Sequence, residues 1–212
     1  MLFEQDHSDM GRVMRHVATA HYIFADDYVR YMYTLPLGES QKFVQVWHST
    51  GAFKRMGFSR MGREGSTIKG SLTHRNYTDV IVSSEDVVQN FVEAFGVDEK
   101  CVHPLGVPRT DVFFDEEYIA TVRAEQREKL HLSEHEKLVL FAPTYRGNDV
   151  HNAYYPHEFL DVDALACSLG PEYVIALKLH PFINTPLPFS NEQGARVVDV
   201  GADREINDLL LA

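Results

Sequence analysis

The feature that most constrains the fold is a series of short apolar runs that alternate with longer amphipathic segments. Most of these runs are continuous stretches of Val, Ile, Leu and Phe rather than strict alternations of apolar and polar residues. Continuous runs of about four to eight apolar residues are typical of strands buried on both faces of a parallel sheet. The sequence therefore predicts seven strands, at Ala20–Ala25, Phe43–Trp47, Val80–Ser83, Val102–Leu105, Leu138–Ala142, Tyr173–Leu179 and Val197–Val200.

Helical segments fit between the predicted strands. One helix is predicted at Glu85–Phe95, closed by Gly96, because glycine commonly ends helices. Others are predicted at Glu116–Leu130 and His157–Leu169, and a last one begins at Glu205–Ala212. Strands joined by helices of this length form parallel sheets with right-handed crossovers.

A domain boundary is predicted at Phe113–Glu117, where a turn gives way to a long helix whose charge changes from acidic to basic. The division yields two Rossmann-like halves, residues 1–114 and residues 115–212. Two such halves make a GT-B-like α/β arrangement, with ligands beyond the carboxyl ends of the strands. We expect the second half to be incomplete, because a helix cut just after its start leaves carbonyls without partners.

Composition and charge argue against several classes of protein. No stretch reaches the ~18 apolar residues that a membrane span needs, and the first residues lack the basic and apolar regions of a secretory signal. Cys101 and Cys167 show no motif spacing, which favours reduced thiols in a cytoplasmic protein. The formal net charge of −11 argues against a nucleic-acid partner.

One segment departs from this acidic average. Residues 54–75 carry six basic side chains against Glu64 alone, a local excess of five positive charges. Four glycines interrupt any periodicity in residues 57–70, so this stretch is expected to be a mobile loop. A solvated loop is the simpler interpretation of the positive charge, and a binding site for an anionic partner is the alternative.

Side chains suited to phosphate and proton chemistry follow five of the predicted strands. The carboxyl ends of parallel strands meet at one edge of a sheet, so these side chains are expected to face a common site. Arginine offers a planar fork to phosphate oxygens, while hydroxyl groups and backbone amides cradle them. The candidates, in chain order, are His48, Ser84, Arg109, Thr144, Arg146 and His180.

Taken singly, each candidate also has a structural interpretation. His48 fits a core histidine bonded to backbone, and His180 fits the end of a strand. Arg109 fits a common turn, and Arg146 fits a surface arginine in a loop. These interpretations do not predict that all of them follow strands, and this shared position favours one phosphate-handling site.

The sequence also bears on metals and cofactors. His131 and His135 lie four residues apart, which suits a metal on a helix face, but the residues between them suggest a turn and no third ligand is evident. The glycines of residues 57–70 match neither the Walker nor the dinucleotide fingerprint. We therefore expect neither a metal nor a cofactor.

Five motifs occur in order at these strand ends. They are Gln45-Val46-Trp47-His48-Ser49-Thr50-Gly51-Ala52-Phe53-Lys54, Val82-Ser83-Ser84-Glu85, Gly106-Val107-Pro108-Arg109-Thr110-Asp111, Phe141-Ala142-Pro143-Thr144-Tyr145-Arg146 and Leu177-Lys178-Leu179-His180-Pro181. This series resembles the CDP-glycerol:poly(glycerophosphate) glycerophosphotransferases, the teichoic-acid primases and polymerases. The resemblance runs from about Ala18 to the last residue, and Ser49 stands where glycine or alanine is commoner in the family.

The resemblance implies a GT-B-like fold and a transferase activity. It also implies that residues 1–114 form the acceptor-side domain and that residues 115–212 begin the nucleotide-donor domain. Glycerol phosphate, or a related alditol phosphate, would move from a CDP-activated donor to a hydroxyl of a teichoic-acid-like or other surface polymer. His48 would be the general base toward that hydroxyl, and His180 would contact the donor pyrophosphate or protonate the leaving phosphate. Phosphate binding is implied for Lys54, Ser84, Arg109, Thr144, Arg146 and Lys178.

The resemblance also implies binding partners, and it indicates which part of the family's catalytic region the chain matches. The donor would be CDP-glycerol or CDP-ribitol, and the acceptor an anionic polymer or a lipid-linked chain. The basic residues 54–75 would hold that acceptor, or meet the inner face of the cell membrane as a peripheral contact. The family pattern continues past a segment like Ile206–Ala212 into an Asp-Tyr-Ser-Ser stretch, so the chain resembles the middle of a catalytic region.

Two alternatives stay open at this point. A nucleotide-sugar glycosyltransferase or epimerase shares the GT-B fold, and fold alone does not exclude it. The other alternative is a non-catalytic fragment of a transferase, because segments that help the family to bind the donor nucleotide would be absent.

Overall fold

A computed structural model describes residues 10–62, 67–147, 151–203 and 205–212. Within these ranges the chain forms seven strands and five α-helices. The strands are β1 Tyr22–Ala25, β2 Lys42–Gln45, β3 Asp79–Val82, β4 Val102–Pro104, β5 Lys137–Phe141, β6 Tyr173–Leu177 and β7 Arg196–Asp199. The helices are α1 Met10–Thr19, α2 Val88–Phe95, α3 Glu116–Lys129, α4 Val162–Leu169 and α5 Ile206–Leu210. Short 3-10 helices lie at Arg30–Tyr33, Gly57–Arg60, Glu85–Val87, Glu99–Cys101, Pro108–Phe114 and His157–Phe159.

The seven predicted strands are confirmed, with ends that differ from the prediction by at most two residues. The two sheets are entirely parallel, as the continuous apolar runs predict. The chain divides into two compact units, Met1–Asp111 and Val112–Ala212. The division falls within the 3-10 helix Pro108–Phe114, where the sequence predicts a turn.

The first unit is built on a four-stranded sheet in the order β1-β2-β3-β4. Phe43 of β2 and Val80 of β3 are fully buried, and they belong to one apolar cluster with Phe91 and Phe95 of α2. Burying an aromatic or aliphatic side chain of this size contributes about 1.5–3 kcal/mol. Because the strands are parallel, the carboxyl ends of β2, β3 and β4 lie side by side at one edge of this sheet.

The second unit is built on a three-stranded sheet in the order β5-β6-β7. Ile175 of the central strand joins a cluster with Ala166 of α4. Its neighbour Ala176 joins a different cluster, with Leu130 and with Leu209 of α5. Successive side chains of a strand point to opposite faces, so β6 is buried on both faces.

Two helix predictions need correction. The helix predicted at Glu85–Phe95 begins with a 3-10 turn, and its α-helical part starts at Val88. The helix predicted at His157–Leu169 is wrong at its start, because α4 begins at Val162. The Asp161 carboxylate accepts a hydrogen bond from Ala164 N–H at 2.9 Å and caps the helix there.

The predicted loop at residues 57–70 also differs from the structure. Residues 57–60 form a 3-10 helix, and Gly57 is buried. Residues 63–66 of that prediction lie outside the described residues. Helix α1, at Met10–Thr19, was not predicted. Among the described residues no helix is both long enough and apolar enough to span a bilayer.

Candidate active site

The candidate base His48 follows β2 and is carried by a rarely populated backbone conformation. Trp47 has a φ of 53°, in the left-handed region that costs a non-glycine residue about 1–3 kcal/mol. Its buried indole packs edge-on against the rings of Tyr28 and Phe95, with centroids 5.5 Å and 5.3 Å away. Trp47 N–H also donates to the side chain of Gln45 at 2.9 Å. This turn leaves His48 exposed.

The His48 ring is oriented by the backbone that follows β1. His48 Nδ1 lies 2.6 Å from the carbonyl oxygen of Asp26. A carbonyl oxygen only accepts, so Nδ1 carries the proton and Nε2 holds the lone pair in the neutral ring. The ring also stacks on Trp47, with centroids 4.3 Å apart. His48 is exposed, so its interpretation as a core histidine is wrong. Its unprotonated Nε2 can accept a proton.

Ser84 and Arg109 lie at the same edge of the first sheet as His48. Ser84 is exposed after β3, and within the described part of the chain its side chain makes no capping bond to the following 3-10 helix. Arg109 is exposed on the 3-10 helix that follows β4. Since β2, β3 and β4 are parallel neighbours, the structure brings these three candidates to one edge.

A cleft of about 150 Å³ lies in the same unit, between residues 52–59 and helix α2. Lys54 and Arg55 supply positive charge there, and the Lys54 ammonium lies 5.6 Å from the centroid of the exposed Phe53 ring. Asn90 and Glu93 supply groups that bond hydroxyls. This combination suits a polyol phosphate, because cations bind phosphate oxygens while amides and carboxylates bond hydroxyls. The full lining is Ala52, Lys54, Arg55, Met56, Ser59, Asn90, Glu93 and Ala94.

In the second unit, His180 lies in an aromatic cluster beyond the carboxyl end of β6. The ring centroids of Tyr145 and Phe182 are 4.6 Å and 4.7 Å from that of His180. Tyr145 follows β5, which pairs with β6 along its whole length. The segment that carries Thr144 and Arg146 is therefore held against the His180 ring.

The tautomer of His180 is opposite to that of His48. His180 Nδ1 accepts a hydrogen bond from Phe182 N–H at 3.2 Å. An accepting nitrogen carries no proton, so the neutral His180 ring has its proton on Nε2. One candidate histidine thus presents a lone pair at Nε2, and the other presents an N–H.

The other candidates of the second unit differ in exposure. Thr144 and Arg146 are exposed, and the Arg146 backbone forms an isolated bridge with Tyr154 through bonds of 2.7 Å and 2.9 Å. Lys178 is buried, and its ammonium donates to the carbonyl of Gly201 at 3.3 Å. Lys178 therefore lies beneath the strand ends, and its phosphate-binding role stays a prediction.

Several contributors to this geometry were not predicted. The Asp26 carbonyl has no side-chain signal in the sequence, because any residue supplies a backbone oxygen. Tyr145 and Phe182 flank predicted residues in the chain, and only the pairing of β5 with β6 shows that they meet. No group of three or more His, Cys, Asp or Glu side chains in the described part of the chain is arranged to hold a metal ion.

Comparison with known proteins decides the family. The model of the CDP-glycerol:poly(glycerophosphate) glycerophosphotransferase family matches residues 5–212. The chain belongs to this family. The resemblance drawn from the five motifs is thereby confirmed.

Curated members of the family are similar over nearly the whole chain. The teichoic acid ribitol-phosphate polymerase TarK of Staphylococcus aureus is 42% identical over 203 residues, which are 95% of this chain and 40% of the relative. A teichoic acid poly(ribitol-phosphate) polymerase of Bacillus spizizenii is also 42% identical, over 96% of this chain and 33% of the relative. A teichoic acid glycerol-phosphate primase of Bacillus subtilis is 28% identical, over 90% and 48%. The chain thus spans between a third and a half of these relatives.

Solved structures agree with the fold. The wall teichoic acid polymerase TagF has a TM-score of 0.66 at 26% identity, over 84% of this chain and 46% of that one. A TagF variant soaked with CDPG has a TM-score of 0.70 at 24% identity. The family fold is therefore the GT-B-like α/β fold, with two Rossmann-like parallel sheets, that the sequence predicts.

Proposed function

We propose that the chain forms part of a transferase that moves an alditol phosphate from a CDP-activated donor to a hydroxyl of a teichoic-acid-like polymer. The observation that supports this proposal is that two histidines that follow parallel strands have opposite tautomers. The lone pair of His48 Nε2 can take a proton, and the Nε2–H of His180 can donate a hydrogen bond. A transfer reaction uses a base at the attacking hydroxyl and a hydrogen-bond donor at the leaving phosphate.

In the proposed reaction the acceptor hydroxyl attacks the β-phosphate of the donor. Its proton passes to His48 Nε2, and the bond between the β-phosphate and CMP breaks. The His180 Nε2–H donates a hydrogen bond to the leaving phosphate of CMP, which departs as an anion. An imidazole suits the role of base at His48, because its ordinary pKa is close to neutrality.

Charge stabilisation is assigned to the cations and hydroxyls at the strand ends. Phosphoryl transfer depends mostly on positioning and on neutralising charge at the phosphate oxygens. Arg109 and Arg146 supply guanidinium groups, and Ser84 and Thr144 supply hydroxyls; all four side chains are exposed. Lys178, with its ammonium on the Gly201 carbonyl, is the weakest of these candidates.

The proposed alditol is ribitol. The two polymerases named for ribitol phosphate are 42% identical to this chain, whereas the glycerol-phosphate primase is 28% identical. CDP-ribitol is therefore the proposed donor, and CDP-glycerol is the alternative. The acceptor is proposed to be an anionic poly(alditol phosphate), and the cleft that contains Lys54 and Arg55 is proposed to hold one of its units.

A peripheral membrane contact is proposed for the basic segment 54–75 and the adjoining Phe53. Phe53 is 80% exposed and Ile68 is 76% exposed, and both lie among exposed cations such as Lys54 and Lys69. Exposed apolar side chains flanked by cations are typical of surfaces that bind anionic lipid. Such a contact would place the protein at the inner face of the cell membrane.

The test is the release of CMP from CDP-ribitol and from CDP-glycerol. The 212-residue chain and the longest polypeptide that its gene encodes are each assayed with a short poly(alditol phosphate) as acceptor. We expect faster release from CDP-ribitol. His48→Ala should lower the rate roughly 10²–10⁴-fold, the usual contribution of a general base, with an unchanged circular dichroism spectrum.

His21→Ala is the matched control. His21 is also exposed, but it precedes β1 and so lies at the opposite edge of the sheet. The control should retain the full rate. Retained turnover in His48→Ala would remove His48 from its role, and release of UDP from a UDP-sugar would favour the glycosyltransferase alternative. Release of CMP by neither polypeptide would favour the non-catalytic fragment.

A further inference from the structure

Gln45, the last residue of β2, is a buried amide with every hydrogen-bonding group engaged. Its side chain is 0% exposed. Oε1 accepts from Trp47 N–H at 2.9 Å, while Nε2 donates to the Asp27 carbonyl at 3.1 Å and to the Tyr77 hydroxyl oxygen at 2.9 Å. Trp47 N–H can only donate and the Asp27 carbonyl can only accept, so the amide has a single satisfactory orientation.

We propose that Gln45 is a positioning residue for His48. It holds the backbone that carries the ring, and it holds the carbonyl-bearing segment that selects the ring's tautomer. The inference rests on the proposed function, because it concerns the general base of that reaction. The positioning role does not require Gln45 to contact a substrate.

The Gln45 side chain holds the backbone of Trp47. A left-handed φ in a tryptophan persists only where its surroundings enforce it. The side-chain oxygen Oε1 of Gln45, two positions earlier in the chain, accepts a hydrogen bond from the N–H of Trp47. The adjacent residue is His48, so the direction in which the ring leaves the backbone depends on this bond.

The Gln45 side chain also holds the segment that follows β1. Val46 N–H donates to the Ala25 carbonyl at 2.8 Å, which is the last bond of the β1–β2 ladder. Beyond it, the hydrogen bonds described between the two segments are those from Gln45 Nε2 to Asp27 and from His48 Nδ1 to Asp26. Gln45 thus holds the carbonyl of Asp27, one residue from the carbonyl that binds His48.

The Gln45 amide is itself held by the buried core. The Tyr77 hydroxyl oxygen lies 2.9 Å from that of Tyr33, and the Tyr77 ring lies 5.0 Å from the ring of Phe43. Both tyrosines and Phe43 are buried. The Gln45 amide is therefore hydrogen-bonded both to the buried Tyr77 and to the backbone that positions His48.

The chemistry of glutamine is specific to this place. Asparagine is one methylene shorter and cannot span the same partners. A glutamate has the same length and still accepts from Trp47 N–H, but a carboxylate donates nothing to the Asp27 carbonyl. Methionine matches the length and shape of glutamine and lacks strong hydrogen-bonding groups. These differences define the variants.

The direct test is ¹⁵N NMR of the imidazole nitrogens in the 212-residue chain. At a pH where the His48 ring is neutral, wild type should show the proton on Nδ1. Gln45→Met and Gln45→Glu should both lose this preference, because each releases the segment that carries the Asp26 carbonyl. Tyr77→Phe leaves the bonds of Gln45 to Trp47 and Asp27 in place and removes the hydroxyl that anchors the amide in the core, so it should reduce the preference partly.

Thr78→Val is the matched control. Thr78 Oγ1 accepts from Phe43 N–H at 3.0 Å, so this change also removes a hydrogen bond from β2, but at the end of the strand away from His48. The control should keep the proton on Nδ1. In the polypeptide active in CMP release, Gln45→Met should lower kcat about 100-fold, as small misplacements of a catalytic group do, with the donor KM unchanged.

Each result decides between the two proposals. An unchanged Nδ1 proton in any folded Gln45 variant, or a wild-type ring with its proton on Nε2, would overturn the positioning role. If His48→Ala keeps its turnover while the Gln45 variants lose the Nδ1 proton, the base assignment fails and the positioning role stands. A raised donor KM in Gln45→Met, with kcat unchanged, would assign Gln45 to donor binding instead.

Discussion

His74 shows how strongly a single buried group can respond to its surroundings. It is 2% exposed, and its ring is surrounded by those of Tyr28, Tyr33, Tyr77 and Phe95. Its Nε2 has no hydrogen-bond partner among the described residues. Burial disfavours the charged ring and lowers the pKa of His74 from 6.5 to about 4.

This lowered pKa makes the stability of the first unit pH-dependent. Between pH 6.5 and about 4 the unfolded chain binds a proton at position 74 that the folded chain does not. The free energy of unfolding should therefore fall as the pH falls through this window, by up to about 1.4 kcal/mol per pH unit from this group. His74→Phe should remove that part of the slope, as measured by urea unfolding at several pH values.

His21→Phe, at an exposed position, controls for deleting a histidine as such. Parallel curves for wild type and His74→Phe would contradict the prediction. The sequence offers no context for His74, since most of the rings around it come from distant stretches of the chain, at Tyr28 and Tyr33 and at Phe95. By contrast, His48 and His180 could be selected as candidates, because both directly follow apolar strands.

Gly57 is a second residue whose role depends on distant contacts. The sequence places it in a loop rich in glycine, where it would supply flexibility. In the structure its φ is 51°, and a Cβ there would lie 2.0 Å from the Ala94 carbonyl oxygen and 2.8 Å from His74 Nε2. A side chain at position 57 would clash with α2, so glycine is needed there. The sequence around position 57 does not reveal this contact.

At the scale of elements, strands were predictable and helix starts were less so. A strand buried on both faces leaves a continuous apolar run, and all seven runs mark strands. A helix start depends on which polar side chain reaches the free N–H groups. The stretch from His157 to Leu169 offers two such starts, and Asp161 rather than the earlier residues provides the cap.

The cap at Asp161 yields a measurable difference between two acidic residues. Asp161→Ala should lower the free energy of unfolding by about 0.5–2 kcal/mol, the usual loss for an N-cap. Glu158→Ala is the control, because Glu158 is exposed on the separate turn His157–Phe159. Chemical denaturation measures both. An equal loss in the two variants would mean that the helix begins at His157 after all.

At the scale of the whole molecule, the cores stay within the units. The apolar cluster of the first unit is formed by residues up to Val102, and those of the second begin at Leu130. The change from apolar strand to turn to long helix is visible in the sequence, and it is the basis of the boundary predicted at Phe113–Glu117. The aromatic cluster around His180 was not predictable, because it requires the pairing of two strands.

The distribution of charge over the whole chain leads to a prediction about membranes. The net charge is −11, yet residues 54–75 carry an excess of five positive charges. The chain should co-sediment with phosphatidylglycerol-containing vesicles and bind phosphatidylcholine vesicles more weakly. Added salt should weaken the binding, because each cation near an anionic surface contributes about 1 kcal/mol and is screened.

Paired substitutions locate the contact. Phe53→Ser with Ile68→Ser should release the chain from vesicles. Leu105→Ser with Phe114→Ser is the control, because these side chains are 77% and 83% exposed but lie outside the basic segment. Equal release by both pairs, or wild-type protein that stays in the supernatant, would rule out the proposed contact.

The strand order of the first sheet has a consequence for biosynthesis. Its spatial order repeats the order of the chain, so each strand leaving the ribosome finds its neighbour already present. Within this described sheet, none of the four strands has to be threaded between two that formed before it. Translation at about 5–20 residues per second therefore delivers strands in the sequence in which they add to the growing edge, and the nascent unit can be completed from one side.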